Sequence, residues 1–157
     1  MKNIQRLDIV WDQYFENSLK AATRIKRGKG TQHKVEASAK ISSRGWSKFL
    51  REDKNKSRLI AFLADQILLI NCQGKLLYST KGNSVISSSA EIRHCHTLSQ
   101  CTHEEADTRM LLRVLEIAKS GFSKVMIHTA DTDIVVLSIS CFNKLNLTEL
   151  WIAYRSR

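Results

Sequence analysis

The chain contains no proline. That leaves no polyproline spacer and no visible linker between domains, so residues 1–157 are expected to form one domain. Long apolar runs are missing too, and none approaches the roughly 18–20 residues that span a bilayer. The opening MKNIQRLDIVW carries an early acid and no small-residue cleavage site, which makes a poor signal peptide. The four cysteines, at 72, 95, 101 and 141, fall at irregular spacing and suggest no disulfide framework. A reduced, intracellular compartment (nucleus or cytoplasm) and no membrane partner are therefore expected.

Acidic residues are outnumbered, 15 Asp and Glu against 25 Lys and Arg, for a net charge of +10. The placement of the excess is more informative than its size. Between Ser18 and Arg58 stand 13 Lys and Arg and three acids, so this segment holds the whole of the net charge. Such concentration favours a polyanionic partner, with nucleic acid, DNA or RNA, the first expectation. A solvated basic face is the plainer alternative. Nothing in the pattern specifies an oligomeric state.

At this length, with 43% hydrophobic and 25% charged residues, the chain can build a core. Residues 7–11 (LDIVW) read as a short buried strand ending at Asp12. Ser18 then caps a helix that runs out at Gly28 and Gly30, and 31–44 read as a basic loop. The periodicity of Trp46, Phe49 and Leu50, and again of Leu59, Phe62, Leu63 and Ile67, predicts two helices. A break is expected at DKNKS, with Asn55 or Ser57 capping the second. GKLLYS and SVISS read as short strands, and HCHTLSQCTH as a loop.

The segment 102–142 is the most legible. Thr102 and Glu105 fit a capping box, and the following helix presents Ala106, Met110, Leu111, Val114, Leu115 and Ala118 inward before stopping at Gly121. FSKVMIHT follows as a strand, then Asp131 and Asp133. Helix, strand, acidic turn and helix make half of an α/β layered unit. Ligands collect beyond the carboxyl ends of strands in such sheets, which is where the two aspartates fall. Asp107 shares a helical face with Met110, Leu111 and Val114, so it points toward the core side and needs a partner. Acids in a first turn are favoured by the helix dipole alone, which is the structural reading of Glu104, Glu105 and Asp107. Together with Asp12 after the first strand, however, the carboxylates form a set that suits Mg²⁺ or Mn²⁺.

EAD at Glu105–Asp107, a helix, a strand and DTD at Asp131–Asp133 together resemble the flap-endonuclease-like branch of the PIN-domain nucleases. IVWDQYFENSLKAATRIKRGKG is similar to that family's earlier acidic strand end and basic helix. Closer still is the likeness of HEEADTR (103–109) to HEEADTR-type proteins of animal genomes, often associated with mobile elements. The resemblance implies a PIN-like, Rossmann-like three-layer α/β sandwich with a mainly parallel central sheet, here incomplete. It implies metal ligation by Asp12, Glu105, Asp107, Asp131 and Asp133, and engagement of the scissile phosphate by Lys20, Arg24 and Arg27. Departures are specific. Gln13 stands where the family has glycine, an earlier acidic strand end is missing, and a later Gly-Asp motif is not reached. The expectation is a relict or partial nuclease-like domain that does not turn over by itself.

Other chemistries fit less well. His94, Cys95, His96, Cys101 and His103 are zinc-type ligands, but a Cys–Cys separation of six misses the usual knuckle, so zinc is not expected. His103 and Glu104 begin an HExxH-like string that fails at Asp107. DTDIV fits an aspartate-nucleophile phosphatase loop, yet that class needs lysine and further acids far downstream. A non-catalytic nucleic-acid-binding module built on residues 18–58 is the alternative of a different class.

Overall fold

The structure is a computed structural model that describes residues 4–15, 30–42, 44–88 and 106–155. It is mixed α/β, with short parallel pairings and four α-helices among the described residues. The chain divides into two compact units, Met1–Arg93 and His94–Arg157. No helix among the described residues is long and apolar enough to cross a membrane.

In the first unit the LDIVW stretch forms strand β1 (Arg6–Ile9), which pairs in parallel with β2 (Leu76–Lys81). The strand is shorter than its apolar run and leaves Leu7 half exposed, so it is an edge strand rather than a buried one. Its charged residues are used locally. The Arg6 guanidinium donates twice to the Asp8 carboxylate, at 2.7 and 3.0 Å, while lying over the Tyr78 ring. Beyond Ile9 the chain still follows β2: the Trp11 amide donates to Thr80 Oγ1 and its indole to Ser79 Oγ. β2 turns at Gly82, whose φ of 55° suits a residue without Cβ, into antiparallel β3 (Ser84–Ser87).

Helix α2 (Asp53–Leu68) packs against β2, helix α1 (Trp46–Leu50) packs against α2, and a Lys81–Asp65 ion pair at 2.6 Å ties β2 to α2. The helix break falls at Arg51 and Glu52, earlier than the DKNKS motif predicts. Asn55 is not a cap at all. It is buried inside α2, where its carboxamide nitrogen donates to the carbonyls of Thr31 and Phe49 and its oxygen accepts the His33 amide. These bonds outcompete capping because they satisfy backbone groups of a loop that has no ladder of its own. That loop is also held by contact, since a Cβ at Gly30 would meet the Lys48 carbonyl at 2.5 Å.

The second unit follows its hydrophobic pattern closely. Helix α3 (Ala106–Lys119) ends before Gly121, whose φ of 92° and whose amide bond to the Ala118 carbonyl close the helix. Strand β4 (Lys124–Thr129), helix α4 (Thr132–Cys141), a 3₁₀ turn (Phe142–Lys144) and strand β5 (Glu149–Tyr154) then form a βαβ crossover. β4 and β5 pair in parallel from Lys124↔Glu149 to Thr129↔Tyr154. Val114, Ile127, Ile134 and Leu145 make the core, with Met110, Leu115, Val125 and Leu150 against it. Each such buried side chain contributes about 1.5–3 kcal/mol.

One feature of α3 departs from its amphipathic pattern. Arg109, Arg113 and Glu116 are buried beside the apolar stripe, and Arg113 forms an ion pair with Glu116 one turn on. Pairing is what lets charges occupy such positions, because an isolated buried charge costs several kcal/mol.

Candidate metal centre

Two elements converge on the acidic site. β4 ends at Thr129, and the chain must turn sharply to start α4 at Thr132. The Asp131 amide donates to Thr129 Oγ1 at 3.0 Å, and Asp131 Oδ1 accepts the Asp133 amide at 2.9 Å. Asp131, in extended conformation, is therefore the N-cap of α4, and Asp133 lies in its first turn. This is ordinary local chemistry, since a short acceptor at the cap satisfies an amide that the helix leaves without a partner. It also fixes one oxygen of Asp131 and turns the carboxylate toward the positive end of the α4 dipole.

Asp107 reaches the same place from the first turn of α3, where it is half buried. Ligand-capable oxygens of Asp107, Asp131 and Asp133 all lie within 4.8 Å of one another, and the latter two residues are exposed. Two oxygens on opposite sides of a Mg²⁺ ion are about 4.2 Å apart, and adjacent ones about 3 Å. The cluster is thus close to the dimensions of a single cation's shell, and small rotations of two exposed side chains would complete the match. The donor set is entirely hard oxygen, the type taken by hard divalent cations such as Mg²⁺, Ca²⁺ or Mn²⁺.

The turn borders open space. An open recess beside the turn is lined by Ala130, Asp131, Thr132 and Tyr154. Tyr154 is half exposed at the carboxyl end of β5, in register with Thr129 at the end of β4. The recess therefore opens beyond the carboxyl ends of both strands, the usual place for a ligand in parallel sheets. Sequence reasoning missed Tyr154. Its signal was present only as the end of an apolar strand, WIAY, whose partner could not be assigned without the register.

Of the residues expected at the site, Asp107, Asp131 and Asp133 are brought together. Asp12 lies in the first unit, exposed, one residue beyond Trp11, whose amide bonds to β2. Glu105, Lys20, Arg24 and Arg27 lie outside the described residues, as do the Thr102 cap and the HCHTLSQCTH string. Compared with known proteins, the chain matches no family model, no curated protein and no solved structure.

Proposed function

We propose that this chain is a partial, PIN-like nuclease domain whose carboxylates hold Mg²⁺ or Mn²⁺ against a nucleic-acid phosphodiester. One observation carries the reading: three carboxylates from the first turn of α3 and the β4–α4 turn gather within 4.8 Å. When bound, such an ion supplies a Lewis acid that polarises a phosphoryl oxygen and activates water. The protein's own part is positional. Asp131 is oriented by its cap bond to the Asp133 amide, and Asp107 is anchored by a helix packed on the core. The family resemblance read from the sequence, rather than the geometry, is what names Asp12 and Glu105 as further ligands and Lys20, Arg24 and Arg27 as partners of the scissile phosphate.

Three carboxylates suffice for one hard cation, whereas in-line displacement is best served by two. The chain by itself is therefore expected to bind the ion without measurable turnover, as a relict or partial site. The runner-up is a nucleic-acid-binding module with no metal, favoured by the charge concentrated in 18–58.

The test is direct Mn²⁺ binding followed by electron paramagnetic resonance, with Asp107→Asn and Asp133→Asn as controls. The expected result is one bound ion in the wild type and binding weakened at least tenfold in either variant. Mn²⁺ that stays free in solution with the wild type, while a labelled oligonucleotide still binds in a salt-sensitive way, would leave only the metal-free module.

A further inference from the structure

In the first unit, the most basic described stretch also carries an exposed aromatic platform. Trp46 opens α1 and is 43% accessible, although tryptophan is costly to leave in water. Its indole is held nearly parallel to the Phe49 ring, with 5.3 Å between centroids and 11° between planes. Phe49 is fully buried and meets the His33 ring on a second contact at 5.8 Å. The tryptophan is thus fixed from below by a core residue rather than hanging from a mobile side chain.

Its neighbours are rigid as well. Asn55 clasps Thr31, His33 and Phe49 through three hydrogen bonds, and Arg58 donates to the His33 carbonyl at 3.2 Å. Gly30 lies flat against the carbonyl of Lys48. On α1 and its flanks Arg44, Lys48 and Arg51 are exposed, and so is Arg58, which reaches the His33 carbonyl. A flat ring with a fixed underside, on a stretch that exposes several cations, matches one chemistry best, a polyanion whose bases are free to stack. Duplex DNA hides its bases and offers only phosphate to such a surface, whereas a single strand offers both.

We propose that the Trp46 platform, with Arg44, Lys48, Arg51 and Arg58, binds single-stranded nucleic acid by stacking an unpaired base on the indole. This rests on the nucleic-acid part of the reading above but not on its metal, because the carboxylate cluster belongs to the other unit. Base stacking on an aromatic ring corresponds to roughly a 5- to 100-fold gain in affinity for each base engaged.

The test uses the full chain in EDTA at low salt and fluorescence anisotropy with labelled strands of about 16 nucleotides, long enough to cover a typical site. The probes are a deoxy strand, a ribo strand, the duplex of the first, and an abasic strand with the same phosphates. The deoxy or the ribo strand, or both, is expected to bind roughly 5- to 100-fold more tightly than duplex and abasic probes. Trp46→Ala should remove that margin and Trp46→Phe, which keeps a ring, should retain most of it. Equal affinity for all four probes would overturn the stacking platform and leave a plain polyanion surface. Failure of every probe to bind would remove the nucleic-acid reading itself. The abasic comparison on the wild type decides the matter even if Trp46→Ala loosens the packing on Phe49.

Discussion

Asp131 has two jobs in this structure, and Asp131→Asn separates them from Asp131→Ala. The side chain caps α4 by accepting the Asp133 amide at 2.9 Å, and it supplies one of three carboxylates gathered within 4.8 Å. Asparagine caps a helix about as well as aspartate, while alanine loses the cap at a cost of about 1 kcal/mol. Like charges 4.8 Å apart repel by about 0.9 kcal/mol per pair in water, and the favourable dipole contribution of a first-turn acid is of similar size, about 0.3–1 kcal/mol. In EDTA, Asp131→Asn should therefore melt at or slightly above the wild type. Asp131→Ala should melt a few degrees lower, at about 2–4 °C per kcal/mol for a chain of this length.

Manganese should lift the wild type above Asp131→Asn. At a concentration one hundred times its dissociation constant, a ligand stabilises the state that binds it by about 2.7 kcal/mol. Losing a carboxylate ligand weakens binding by at least 10- to 100-fold, which cuts the gain at the same concentration to about 0.4–1.4 kcal/mol. Differential scanning calorimetry with EDTA and with MnCl₂ measures both effects, and it resolves the two units if they melt separately. The reasoning fails if Asp131→Asn keeps the full manganese gain, since the cluster would then not hold the ion. It fails differently if Asp131→Asn loses as much stability in EDTA as Asp131→Ala, for then charge rather than hydrogen bonding caps the helix.

Two further outcomes are expected. Asn55→Ala removes three hydrogen bonds and leaves the Phe49 carbonyl buried beside a cavity, so unfolding in urea should show a loss of roughly 2–4 kcal/mol, with faster proteolysis around residues 30–34. A change below 1 kcal/mol, an order-of-magnitude bound for one net hydrogen bond, would mean that the clasp is not what holds the loop. The hydrogen bond from Lys124, then that from the Trp151 indole, lowers the pKa of Glu149 below its ordinary 4.5. A lowered folded-state value means stability that is present above 4.5 and lost as pH falls through that lower value. The melting-temperature gap between wild type and Glu149→Gln should accordingly be present at neutral pH, shrink in high salt because the pair is exposed, and close in strong acid. A gap that persists unchanged in strong acid would rule out the ion pair as its source.

The second unit was largely legible in the sequence because its signals are local. Helical periodicity from Ala106, a stop at Gly121 and the apolar run KVMI each depend on residues within a turn or two. Even the direction of Asp107 follows from its spacing to Met110 and Val114. Asn55 was misplaced for the opposite reason. As a short polar residue in a charged string it looks like a cap, and only the return of residues 31–33 against α1 makes it a buried clasp.

The residue string alone determined the mixed α/β class, the α3–β4–α4 order and the crowding of positive charge before residue 58, since each is written in short-range spacing or in composition. Tertiary structure alone decided that Arg109, Arg113 and Glu116 sink into the interior, that Tyr154 borders the acidic turn, and that Asp107 comes within 4.8 Å of Asp131 and Asp133. Those facts depend on which surfaces meet after the chain has doubled back. Strand register and helix packing carry that information, and no local window of sequence contains it.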